Sequence, residues 1–318
     1  MKPAELANQG SAARLDPPNP LPRAGQGLAL LAIAVTLILW ASAFVGIRLV
    51  GADYSPGALT LGRLLIGTIA LSFIALPTLK NLPKDWLNWR NGLAILSYSL
   101  MWFAGYNLAL NTAEQHLDAG TSALLINISP ILIAVFAGIF LREGFPRWLI
   151  IGGLVALAGV ALIALGSGQR SNVDLLGVVL CLLAAVLASL SAIIQKPVLR
   201  TMSAVHSTWL GTGIGAICCL PFSGELVQAV SSAPLASSLG VVYLGVFPTA
   251  IAFTTWAYAL SRSNAGQLAA STYLVPAITV LMSWAWLHET PTAWGFLGGI
   301  VALCGVALTR IRSRKTLN

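Results

Sequence analysis

Charge is scarce in this chain of 318 residues: 9% of it is Asp, Glu, Lys or Arg, where an ordinary soluble domain carries about 25%. With 57% hydrophobic residues beside that, a soluble globular fold is excluded. Acid is scarcest, with 10 Asp and Glu against 18 Lys and Arg, and none near the middle of an apolar stretch. An intramembrane proton relay, which needs an ionisable group at that depth, is therefore not evident, and Glu114 and His116 are the nearest candidates for one. Cys181, Cys218, Cys219 and Cys304 lie inside apolar stretches without C-x-x-C spacing, and His116, His206 and His288 stand far apart. A metal centre and a redox motif are therefore not expected, and no cofactor is implied. No H-E-x-x-H, buried Ser/His pair or paired Asp is present, which leaves an intramembrane enzyme without machinery.

What the chain does have is long apolar runs. Ten of them, at roughly 28–50, 57–79, 92–113, 119–141, 147–167, 174–197, 204–222, 236–260, 265–287 and 293–311, are long enough to cross a hydrocarbon core ~30 Å thick. All should be helices, because a backbone in lipid must satisfy its own polar groups. The expected fold class is all-α, a polytopic membrane protein of ten transmembrane helices. Residues 1–26 are polar, with Pro17-Pro18-Asn19-Pro20, and read as a disordered cytoplasmic tail. Ala41-Ser42-Ala43 looks like a signal-peptidase site, but Glu5 and Asp16 precede it and the apolar run continues to Val50, against cleavage. Between the second and third spans, residues 83–90 with Trp86 and Trp89 look like a short interfacial piece.

The formal charge of +8 has a membrane explanation, and a nucleic-acid partner is not expected. Fifteen of the 18 basic residues fall in the two tails or in alternate connections, among them Lys80, Lys84, Arg90, Arg142, Arg147, Lys196, Arg200 and Arg262. Only Arg48 and Arg170 sit at the opposite span ends, and Arg63 lies within a span. The positive-inside rule then predicts both termini in the cytoplasm.

A duplication is visible. At a constant offset of 146, residues 119–162 overlay 265–308, pairing Pro130 with Pro276, Glu143 with Glu289, Trp148 with Trp294 and Gly159 with Gly305. Each half then holds five spans, at 27–168 and 169–312, followed by a basic tail at 313–318. An odd number inverts the second half relative to the first, which is a transporter architecture with a solute site expected between the halves.

Trp40-Ala41-Ser42-Ala43-Phe44 is similar to the W-G-S-x-F element of the EamA family in the drug/metabolite transporter superfamily. The twice-repeated Pro, then about a dozen residues, then Glu, at Pro130 to Glu143 and Pro276 to Glu289, resembles that family too, as does Tyr243 to Phe247 leading to Ala257-Tyr258-Ala259-Leu260. The resemblance covers nearly the whole chain beyond the tail. It implies an inverted-repeat carrier, commonly an exporter of amino acids, other metabolites or drugs from the bacterial inner membrane, with a small-molecule solute and membrane lipids as partners. Ala41 departs from the family's usual Gly, and His288 stands where the first copy has Arg142.

Candidate residues follow from depth and chemistry. Arg63 falls seven residues after Pro56, too deep for a loop charge, and either braces a gate or receives a solute carboxylate. Tyr98, Trp102 and Tyr106 share a helix face at i, i+4, i+8, suited to an aromatic solute or to packing. Asn127 precedes Pro130, where a disrupted helix exposes carbonyls, and Tyr273 holds the equivalent place before Pro276. Trp40, Ser42, Gln195 and Trp256 complete the expected solute-binding set, with interhelical hydrogen bonding the alternative for each polar one. Arg63, Pro130 and Pro276 are the expected gating or structural residues. The small-residue faces Gly152-Gly153, Ala156, Gly159 and Gly298-Gly299, Ala302, Gly305 suit close helix contact, and the expected state is a monomer or weak homodimer. A passive channel is the rival function.

Overall fold

The computed structural model describes residues 23–82, 88–116, 125–166, 174–287 and 293–309; residues 1–22 of the expected disordered tail, most of the interfacial piece, the His288-Glu289 pair and the basic C-terminal tail fall outside them. Every regular element among the described residues is helical. In chain order they are α1 (Arg23–Val50), α2 (Pro56–Thr78), α3 (Trp89–His116), α4 (Ser129–Phe140), α5 (Arg147–Gly166), α6 (Leu175–Val198), α7 (Ala204–Cys218), α8 (Ser223–Ser232), α9 (Leu235–Leu260), α10 (265–287) and α11 (Ala293–Thr309). Five of these, α1, α2, α3, α6 and α9, are each long and apolar enough to span a bilayer alone. The α7–α8 pair bends by 58° at its junction, and α4, α5 and α11 are shorter apolar helices. Large apolar side chains such as Phe73, Phe140, Leu175 and Ile217 point outward, as lipid rather than water requires.

Helix starts follow the local chemistry. Ser55 accepts the Ala58 N–H with Pro56 in the first turn, Asn88 accepts from Asn91, Asp174 from Leu176 and Ser203 from His206. Helix α1 begins at Arg23, a turn before the apolar run, so the helix takes up residues expected to belong to the tail.

Two features break the expected uniform helices, and both obey the repeat. Residues 127 and 128 form a turn, so α4 starts afresh at Ser129 with Pro130 in its first turn, where the missing N–H costs no hydrogen bond. In the second copy a 3-10 turn at Ser271–Tyr273 interrupts α10 at the equivalent place. The other break is a π-wound segment, Ser99–Tyr106 in α3 and Gly245–Ile251 in α9, starting 146 residues apart (245 − 99). Widening the helix to i→i+5 disturbs the regular ladder of carbonyls, and side chains bond them. Asn107 Nδ2 donates to the Trp102 and Phe103 carbonyls at 3.1 and 3.0 Å, and Thr249 Oγ1 donates to the Leu244 carbonyl at 2.8 Å.

The two small-residue faces press against each other within the chain. A Cβ added at Gly159 would meet Ala302 N at 2.4 Å, and one at Gly305 would meet Ala156 N at 2.3 Å, so α5 and α11 touch backbone to backbone. That face is consumed internally and offers no close-contact surface to a second copy.

Charge sorts to the two ends. At one end Glu143 receives the Lys196 ammonium on one oxygen and the Ala265 N–H (2.8 Å) on the other, while Lys196 Nζ also donates to the Ser263 carbonyl (2.6 Å). This ties the α4–α5 connection to the end of α6 and the α9–α10 connection, bringing together the segments that carry Arg142, Arg147, Arg200 and Arg262. Arg142 takes a left-handed φ of 55°, at the turn that delivers Glu143. The other end holds the acids. Asp53 accepts from Ser237, Glu225 from Ser55, and His116 pairs with Asp174 at 2.8 Å. The Leu176 N–H first, and His116 second, hold the exposed Asp174 carboxyl below its ordinary value.

Candidate functional site

A cavity of about 920 Å3, its open mouth included, lies between residues of both repeats. One face of α1 lines it through Trp40, Ala43, Phe44 and Ile47, spaced i, i+3, i+4, i+7. Helix α3 adds Trp102, Tyr106 and Asn107, the start of α4 adds Asn127 and Pro130, and α2 adds Arg63. From the second repeat come Phe253 and Trp256 of α9 and Thr272 and Val275 of α10. Four of the lining pairs are repeat equivalents at the offset of 146: Asn107 with Phe253, Leu110 with Trp256, Ile126 with Thr272, and Ser129 with Val275. The duplication built this wall from both sides.

Four aromatics cluster in it. Trp40 and Trp256 centroids are 5.1 Å apart, Trp102 and Phe253 5.3 Å, Trp40 and Phe253 5.4 Å, and Trp102 and Trp256 6.0 Å. Edge-on and tilted packing of this kind holds the rings in place, so the wall is rigid as well as apolar. Among the described residues Arg63 is the one charged lining residue, 6% exposed. Its Nε donates to Thr249 Oγ1 at 3.2 Å, joining α2 to the π segment of α9. Trp256 is 2% exposed and its Nε1–H has no partner among the described residues.

Of the residues singled out from sequence, Trp40, Arg63, Trp102, Tyr106, Asn127, Pro130 and Trp256 meet at this cavity. Others lie elsewhere. Tyr98 is fully buried with its hydroxyl on the Ser207 carbonyl (2.7 Å) and Oγ (2.9 Å), and Gln195 Nε2 donates to the same Ser207 Oγ (3.2 Å). Both therefore brace α3 and α6 against α7. The expected three-residue stripe divides because the π segment begins just after Tyr98 and changes the rotation per residue. Ser42 bonds Tyr243 on α9 at 2.7 Å. Tyr273 lines a separate, smaller cavity of about 520 Å3 with Ile131, Ala134 and Gly153, sharing only Pro130 with the main one, and Pro276 is buried outside both.

Sequence reasoning missed Phe253 and Thr249 and assigned Glu143 and Lys196 only to a loop and a helix end. The offset applied to Asn107 would have pointed to Phe253. Nothing in the linear pattern pairs Glu143 with Lys196, because that contact depends on how three connections meet.

A bundle of apolar helices, carrying the same broken and π-wound turns in two copies around one cavity, is the build of a membrane transporter. The family comparison agrees: the EamA-like transporter family matches residues 27–165 and 175–311, and the chain belongs to that family as a multi-pass membrane transporter. It is 35% identical over 285 residues to "Uncharacterized transporter YdfC" of Bacillus subtilis (strain 168), covering 87% of this chain and 89% of that one. It is 33% identical over 290 residues to a "Probable terminal-alkyne amino-acid exporter" of Streptantibioticus cattleyicolor, covering 91% and 94%. A solved crystal structure shares the fold with a TM-score of 0.73 at 19% identity, over 90% of this chain and 98% of that one.

Proposed function

We propose that the protein is an alternating-access carrier that exports small metabolites, such as amino acids or drug-like solutes, across the inner membrane. Ten spans in two inverted halves would enclose the cavity, with the basic end and both termini in the cytoplasm. Trp40, Trp102, Tyr106, Asn127 and Trp256 would contact the solute. Ser42, Tyr98, Gln195 and Tyr273 would hold the walls that carry them, and the helix breaks at Pro130 and near Pro276 would let one half rock on the other.

The observation that carries this reading is a cavity walled by equivalent positions of both repeats, with an ion pair beyond one end that would close it. Ile133 is the last α4 residue in the cavity lining, and α4 runs seven residues further to Phe140, ~10 Å along its axis, before the Glu143–Lys196 tie. A continuous pore has no use for such a closure, and an inverted pair of halves has. Purified protein in liposomes, tested with a panel of labelled amino acids, should give saturable flux and counterflow. Flux linear in concentration without counterflow would make it a channel, and labelling that places the two termini on opposite sides would remove the inverted arrangement.

A further inference from the structure

We propose that the central cavity recognises its solute by a carboxylate on an apolar, ring-sized body and makes no demand for an amino group. This rests on the reading of the cavity as the solute site and names the chemistry it takes. The first observation is Arg63. Its Nε is fixed to Thr249 Oγ1, whose own proton goes to the Leu244 carbonyl, so the guanidinium is held in one orientation. Its other N–H groups bond to no described residue, and no described carboxylate lies within ion-pair distance. A guanidinium with a free edge in an apolar wall is matched by a planar anion that takes two parallel hydrogen bonds.

The second observation is independent of the first. Trp256 Nε1–H is a buried donor in the same wall with no acceptor among the described residues. A buried donor left unpaired is costly, and an acceptor on the solute relieves it. The third is what the lining lacks, since no Asp or Glu stands among the described residues that line the cavity. A cationic group there meets a positive field with no fixed anion to receive it. An anion supplies the buried Arg63 with a counter-charge nearer than Glu114, which acts on it from beyond ion-pair distance, while Trp40, Trp102 and Phe253 cover its apolar part.

Three probes with one phenyl tail separate these demands: 3-phenylpropanoate has the carboxylate alone, phenylalanine both groups, and phenethylamine the ammonium alone. Titrated into the purified full-length protein with Trp emission as the readout, 3-phenylpropanoate should bind saturably and at least as tightly as phenylalanine. Phenethylamine should produce no saturable change. Arg63→Gln should weaken the carboxylates about tenfold or more, and Trp256→Phe, which keeps the ring and removes only the N–H, several-fold. Trp40 and Trp102 still report in the latter variant, which keeps the test open if Arg63→Gln fails to fold. Phenethylamine binding as tightly as 3-phenylpropanoate, or no saturable response to any probe, would overturn the proposal. Carboxylate binding without counterflow in liposomes would spare this site and remove the carrier reading. Counterflow confined to amines would do the reverse.

Discussion

Thr249 performs two tasks with one hydroxyl, donating its proton to the Leu244 carbonyl within the π segment and accepting the Arg63 Nε–H. Thr249→Val keeps the shape and removes both bonds, leaving a buried carbonyl and a buried cation each short of a partner. The expected cost is about 1–3 kcal/mol, read as a lower unfolding temperature in detergent with insertion intact. Trp102 tests the cavity rather than the scaffold. It packs on Phe253 and Trp256 in the wall, and Trp102→Ala should lower transport in liposomes while the protein still inserts; unchanged flux would take α3 out of the site. At this scale the sequence was partly readable. Intramembrane aromatics and the single deep arginine announce themselves by depth, but whether a tyrosine faces the cavity or a neighbouring helix, as with Tyr106 and Tyr98, depends on winding that no side-chain spacing encodes.

Helices α5 and α11 meet backbone to backbone at Gly159 and Gly305. The paired glycines that mark this contact are legible because close approach leaves room for nothing larger. Gly305→Leu forces a side chain into the Ala156 backbone, which has no flexible end to move aside, and should abolish the folded monomer on size exclusion. Gly299→Ala is the matched control, since its Cβ would meet only Ala277 Cβ at an ordinary 3.8 Å and should leave the protein's stability nearly unchanged. The all-helical class and the places of the apolar runs were likewise readable. The breaks inside them were only half so: Pro130 signals the first, whereas the 3-10 turn at Ser271–Tyr273 and both π segments arise where the backbone adapts to its packing, with Pro248 inside the second π segment the one visible cue.

The tie at the basic end belongs to the molecule as a whole, because Glu143, Lys196, Ser263 and Ala265 come from three separate connections. Its charges are largely shielded, with 13% of the Glu143 side chain and 17% of Lys196 exposed, so water replaces the contact poorly. The bond exists only while these segments are together, and in the proposed carrier it would stabilise the state closed at this end alone. Glu143→Gln keeps an acceptor for the Ala265 N–H and removes the ion pair, which should shift the balance toward opening by about 2 kcal/mol, or ~30-fold in population. The readout is a single cysteine at Ile133 in the cavity wall, with the four native cysteines replaced, labelled by an impermeant thiol reagent applied from the basic side. Glu143→Gln and Lys196→Gln should each speed that labelling, and to a similar extent, since either removes the same pair. If the tie were only a loop brace, both variants would melt earlier and label no faster. Faster labelling separates a gate from a brace whether or not the melting temperature falls, because only a gate has an open folded state for the reagent to enter.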